Sequence, residues 1–498
     1  MYLPLPFHCR KYRRSLFTGV LSHIATGSKA AASFSRSPRD PSMFVTFAAT
    51  KQFHMSQPIL IKNAMLVNEG RQWNADMLIR NGRIEKIDSS ITVTGINCRE
   101  IDATGKWLIP GVIDDQVHFR EPGLTHKATI GSEARAAVAG GTTSFMEMPN
   151  TNPPATTQEL LEQKYDRAAA ASVANYSFFM GVANDNVEEV LRTNAKKKDV
   201  CGIKIFMGSS TGNMLVDNYV TLNRIFGDTE LLIATHCEDE RVIRANKEKY
   251  PDADDASFHP LIRDTEACFA SSFSAVQLAK QHNTRLHILH ISTEKELQLF
   301  TNMLPLKDKR ITSEVCVHHL HFTADDYPRL GNLIKCNPAI KAAANKEALW
   351  AALLDDRLDI IATDHAPHTW EEKQKPYQEA PSGLPLVQHS LQLMLHYAAQ
   401  GRIRIEKVVE KMCHAPAVCF HIEERGYLRE GYWADLVLID GAQPYTVGKD
   451  NILYHCGWSP LEGATFPATI SHTFVNGHVA FENGKINDSV KGMRLKFM

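Results

Sequence analysis

The sequence predicts an α/β fold: a (β/α)8 barrel with a small β-sandwich domain built from both chain ends. Three observations lead there. Eight short apolar runs alternate with longer helical stretches through the middle of the chain, strand-like segments turning at Asn-Gly stand before and after them, and the residues best suited to chemistry fall at the C-terminal ends of the apolar runs. Such alternation is the pattern of parallel strands wrapped by helices, and the strand C-termini of a barrel of this kind meet at one mouth.

Residues 1–54 carry Arg10, Lys11, Arg13, Arg14, Lys29, Arg36, Arg39 and Lys51 against Asp40 alone, with many Ser and Ala. Transit peptides have that balance, and a mitochondrial address is one expectation; a translation start at Met55 is the other. The segment is excluded from the fold on either account. Residues 59–67 and 77–87 read as strands, the second run turning at Asn81-Gly82, and residues 435–440 and 472–481 repeat the style with Asn476-Gly477. Asn-Gly tolerates the positive φ of a tight hairpin. These pieces are expected to pack together as the sandwich, residues 55–108 with 425–498, leaving residues 109–424 for the barrel. Its strands are expected at 108–113, 142–148, 176–181, 202–206, 231–235, 285–289, 311–315 and 359–363, with helical spacers such as 158–171, 187–198, 264–281 and 346–354.

Composition narrows the function. A formal net charge of -1 offers no broad field for nucleic acid or an anionic membrane. No apolar run approaches the roughly 20 residues of a bilayer span. A small-molecule partner is expected. The ten cysteines form no CxxC pair, which favours free thiols in a reducing, cytoplasmic compartment, with Cys237 as packing.

His118, Lys204, His236, His290 and Asp364 each lie on or just past the end of a different expected strand. Imidazole is a good zinc ligand, so this set predicts a metal centre at the mouth. Lys204 stands in the apolar run Gly202 to Phe206, where burial would lower its pKa and favour the neutral amine. Strand alternation puts Asp114, Gln116, His118 and Arg120 on one face and sends Asp115 to the helix side. Gly208 to Gly212 looks like a phosphate cradle but lacks the Gly-Lys-Ser/Thr ending. His318-His319 reads as structural support.

Residues 119–123 (Phe-Arg-Glu-Pro-Gly), 148–153 (Met-Pro-Asn-Thr-Asn-Pro), 203–206 (Ile-Lys-Ile-Phe), 236–239 (His-Cys-Glu-Asp), 317–320 (Val-His-His-Leu), 336–341 (Cys-Asn-Pro-Ala-Ile-Lys), 363–368 (Thr-Asp-His-Ala-Pro-His) and 380–385 (Ala-Pro-Ser-Gly-Leu-Pro) stand in the order seen in one family. From about Ile59 to the C-terminus the chain resembles the class I dihydroorotases of the amidohydrolase superfamily. The resemblance implies reversible cyclisation of N-carbamoyl-L-aspartate to L-dihydroorotate, a step of pyrimidine synthesis. It implies zinc held by His118, Lys204, His236, His290 and Asp364, with Lys204 carrying carbon dioxide as a carbamate and Asp364 acting as the proton shuttle. Arg120 supplies a fork matched to the substrate carboxylate and Asn150 can donate to the same anion. By family correspondence His368, Asn337 and the Ser382-Gly383 backbone complete the substrate pocket, and Lys341 stands where many relatives place arginine.

One departure matters. The family pattern has a histidine where this chain has Gln116, and an amide oxygen is a weaker zinc ligand. One zinc is therefore expected firmly at Lys204, His236 and His290, with the site using His118 and Asp364 weak or empty. Two other readings stay open: a related cyclic amidase acting on hydantoin, dihydropyrimidine or allantoin, which has no need of Arg120, and a non-catalytic scaffold docked to aspartate transcarbamoylase. A homodimer is the expected assembly.

Overall fold

The computed structural model describes residues 57–95, 97–208 and 214–498. The basic extension, the Met55 start and residues 209–212 of the glycine-rich loop lie outside the described residues.

Eight barrel strands are present: Val112–Val117, Thr142–Glu147, Asn175–Phe178 continued by Met180–Gly181, Ile203–Phe206, Ile233–His236, Leu286–Ile288, Ile311–Cys316 and Ile360–Ala362. Each pairs in parallel with the next. The third strand changes partner at Phe179, whose N–H still donates to Glu147, while Met180 already donates to Gly202 of the fourth side. Nearly all their residues are buried, as in parallel strands covered on both faces. The ring closes through a parallel bridge between Val117 and His365, with the His118 N–H donating to the His365 carbonyl at 2.7 Å.

The helices follow their own signals. Gln158–Ala171 matches the expected span, capped by Thr157, which accepts from the Leu160 N–H. Thr265–His282 starts on Asp264 and stops at Asn283, which adopts a left-handed φ of 53°. The spacer expected at 187–198 is instead one α-helical turn, Val187–Leu191, followed by the 3-10 segment Arg192–Lys196. Only Val190 and Thr193 are buried there, so no apolar face sustains a longer helix.

Strands from the two chain ends form one nine-stranded sheet in which Lys106–Pro110 lies between Ile59–Asn68 and Leu436–Asp440. Both Asn-Gly turns have positive φ at each central residue: 52° and 81° at Asn81 and Gly82, 51° and 75° at Asn476 and Gly477. The two turns touch; a Cβ on Gly477 would lie 2.6 Å from the Gly82 Cα.

The run expected as one strand at 108–113 is two. Lys106–Pro110 belongs to the outer sheet and Val112–Val117 to the barrel, with Gly111 donating to the Asp435 carbonyl between them. Continuous apolarity hides the change of sheet, because both halves are buried. A Cβ on Gly111 would sit 2.0 Å from the Thr143 Oγ1 and 2.7 Å from its Cβ. Gly111→Ala is therefore expected to cost about 1–3 kcal/mol through overpacking, seen as a lower thermal unfolding midpoint.

Candidate active site

The five expected ligands meet at the mouth as two facing groups. His118 follows the first strand and Asp364 the eighth; the His118 Nε2 lies 3.1 Å from the Asp364 Oδ1 and its Nδ1 2.8 Å from the Asn150 Oδ1. Burial lowers the His118 pKa, so its ring is neutral and carries one proton. With that proton on Nδ1 and donated to Asn150, the Nε2 lone pair faces a carboxylate oxygen, an arrangement that calls for a cation between them. Gln116 Nε2 donates to the same Oδ1 at 3.2 Å.

Opposite, the His236 Nδ1 and His290 Nε2 stand 3.0 Å apart, a separation close to that of two imidazoles sharing one zinc at roughly 2.0–2.1 Å. The other His236 nitrogen pairs with Glu238 Oε2 at 3.0 Å, and the His290 N–H donates to Glu314 Oε1 at 3.1 Å. Lys204 is 1% exposed, so it does not snorkel to the rim. Burial pulls its ammonium down to about 7, against the attraction of Asp364 and Glu314. A substantial fraction of neutral amine near neutral pH is what carbamate formation needs. His290, Asp364 and Arg120 hold positive φ values of 39°, 47° and 69°, the kind of strained backbone that gathers at functional sites.

A second group lies beside the first. Arg120 donates from Nε to the Pro367 carbonyl at 3.0 Å, and its Nη2 lies 3.1 Å from the His368 Nε2. The Lys127 ammonium donates to the His368 Nδ1 at 3.0 Å, which leaves Nε2–H for the Ser382 carbonyl at 3.0 Å. Burial, with the two neighbouring cations, keeps His368 well below its usual pKa. The result is a neutral imidazole between two positive side chains, of which Lys127 is paired with Glu372 at 2.9 Å, which leaves Arg120 as the cation suited to an anion. The Gly383 N–H already donates to the Lys335 carbonyl, and the Asn337 Oδ1 lies 2.9 Å from the His259 Nε2. Lys341 donates to the Ala339 carbonyl at 2.9 Å. A cavity of about 790 Å³ lined by Met207, Leu222, Arg241, Ser271 and Gln281 holds none of these residues.

Strand parity fails around Asp115. The pairing of the first two strands is irregular between Asp114 and Val117, and the extra residue breaks the alternation. Asp114 turns to the eighth strand, accepting from the Thr363 hydroxyl at 2.6 Å, while Asp115 enters the barrel and lies 3.3 Å from the His287 Nε2. Glu314 lies 3.1 Å from the same nitrogen, and burial, then Asp115, raises its pKa well above normal. Sequence reasoning passed over Lys127, Glu238 and Glu314, since a lysine in a loop or a glutamate after a histidine has no distinctive spacing.

The amidohydrolase family model matches residues 107–480. The chain belongs to the amidohydrolase family. Within the family, the dihydroorotase of Methanosarcina acetivorans is 33% identical over 86% of this chain and 93% of the relative, and that of Halobacterium salinarum 32% identical over 78% and 89%. Among solved structures, the L-hydantoinase (dihydropyrimidinase) from Arthrobacter aurescens is similar with a TM-score of 0.81 at 26% identity, covering 86% of this chain and 97% of that one. This chain is thus an enzyme of the amidohydrolase family, with its strand ends converging as described above. Among the described residues no helix is long and apolar enough to cross a membrane.

Glu238 gives a pH test. Burial would raise its pKa, but Arg263 and the His236 hydrogen bond outweigh burial and hold it at about 2, below the ordinary 4.5. A carboxylate whose pKa is depressed on folding contributes stability that is complete above about 4.5 and lost as the pH falls toward 2. Thermal midpoints of metal-free protein are expected to fall through that window, and Glu238→Gln to flatten this part of the curve; an unaltered slope would refute the assignment.

Proposed function

We propose that this chain is a dihydroorotase, cyclising N-carbamoyl-L-aspartate reversibly to L-dihydroorotate in pyrimidine synthesis. The observation that carries the reading is the placement of an anion pocket, Arg120 with Lys127 and His368, beside the group formed by His118, Asp364, His236, His290 and Lys204. Arg120 would hold the substrate carboxylate and so set the ring against Asp364. Asp364 accepts from the Gln116 amide on Oδ1, the same oxygen that faces the His118 Nε2 lone pair. Its second oxygen would face the reacting atoms. In the hydrolytic direction Asp364 takes a proton from the attacking water and returns it to the departing ring nitrogen; cyclisation runs the same transfers backwards.

A divalent metal, zinc in this proposal, fits His236, His290 and Lys204, the last as its carbamate, and when bound there supplies Lewis acidity for the amide carbonyl and the water. Asn150, Glu238 and Glu314 orient the ligands. Gln116 turns its amide N–H, a donor, toward Asp364, which supports a weak second position at His118. A homodimer is the proposed assembly.

The deciding experiment is carbamoyl-aspartate cyclisation with and without chelator. Turnover that is lost with chelator and restored by zinc is expected; hydrolysis of an uncharged cyclic amide without turnover of dihydroorotate would replace this reading with the hydantoinase one. Asp364→Asn is expected to lower kcat by about 10²–10⁴-fold with KM little changed. Gln116→His is expected to raise the metal content by one equivalent over the unmodified chain, measured by elemental analysis.

A further inference from the structure

Among the described residues, two buried groups in the barrel each bring the ligand atoms of three metal-binding side chains within 4.8 Å of one another: Asp115 with His287 and Glu314, and Cys316 with His318 and His319. The first is internally paired, since His287 faces both carboxylates and the Thr312 hydroxyl. The second is not. Cys316 ends the seventh strand, and the two histidines follow in the short helix Val317–His321. Neither ring nitrogen of His318 makes a hydrogen bond, nor does the His319 Nδ1, although both residues are buried. The Thr363 backbone approaches His318 as a hydrogen-bonding group and favours its protonated form, short of full hydrogen-bond geometry. The His319 Nε2 is engaged at 3.1 Å by the Pro338 carbonyl, which fixes the ring. The two rings lie 4.1 Å apart between centroids.

A buried imidazole without a full hydrogen bond at either nitrogen is an unfavourable state for a chain on its own, and a neighbouring thiol makes a soft cation the natural partner. We propose that Cys316, His318 and His319 form a second metal site, separate from the one at Lys204, that takes zinc through one thiolate and two imidazoles. The ligand atoms need to draw in to the roughly 3.3–3.8 Å that separates donors around a tetrahedral zinc. The thiol proton is released on binding, and the carbonyl oxygen of the Gln116 amide, 3.7 Å from the Cys316 sulfur, is the fourth donor within reach. Through that amide the site adjoins Asp364.

Sulfur makes the proposal testable apart from activity, because the group at His118, Lys204, His236, His290 and Asp364 contains none. The full chain, stripped with chelator and reloaded with Co2+, is expected to show thiolate-to-cobalt charge-transfer absorption and to bind one more equivalent of metal than Cys316→Ser. Cys316→Ser and His318→Ala are expected to lose the band, and Cys237→Ser to keep it. X-ray absorption of the zinc-loaded unmodified chain should find sulfur at about 2.3 Å, which needs no variant to fold. No sulfur shell, no band, or a band that survives Cys316→Ser would overturn the site, whatever the outcome of the cyclisation assay.

Discussion

Everything at the mouth of the barrel follows from one backbone contact, the parallel bridge between Val117 and His365 that joins the first strand to the segment after the eighth. It is fixed from below by Asp114, which accepts from both the hydroxyl and the N–H of Thr363. Burial raises the Asp114 carboxyl to about 7, against the pull of those hydrogen bonds. With the ring closed, residues 248 positions apart share a hydrogen bond, as Gln116 and Asp364 do. The same contact brings Arg120 to Pro367 and His368.

A second constraint is the cost of charge in a dry interior. The ionisable groups below and around the mouth are paired or shifted toward neutrality: Lys164 lies 2.9 Å from Glu147, burial lowers Lys204 and His290, and burial raises Glu314. Glu147 also accepts the Phe119 N–H at 2.9 Å, so a buried ion pair holds the backbone that presents Arg120. Neutral amines and imidazoles with their lone pairs available are the groups that bind metals and carbon dioxide. The chemistry of the site is in this sense a product of its burial.

Gln116 sits where these effects meet. Its amide donates to Asp364 on one side and faces the Cys316 thiol on the other, bridging the first, seventh and eighth strands. A side chain that offers a donor to the carboxylate changes what Asp364 faces at the mouth, and it stands in the irregular stretch between Asp114 and Val117.

The order of amino acids was enough to read the barrel, the two Asn-Gly hairpins and the ends at which His118, Lys204, His236, His290 and Asp364 stand, because periodicity and turn chemistry are local properties that a chain states in order. It also announced Arg120 through a motif. It took the folded chain to show that Leu108 and Ile113 belong to different sheets, that Asp115 points into the barrel, that Lys127 meets His368, and that Glu238 and Glu314 meet His236 and the His290 backbone. The physical reason is the same in each case. A buried run is apolar whichever sheet it joins, one extra residue in a strand reverses every later side chain, and a partner supplied from across the barrel leaves no trace in the spacing of its neighbours.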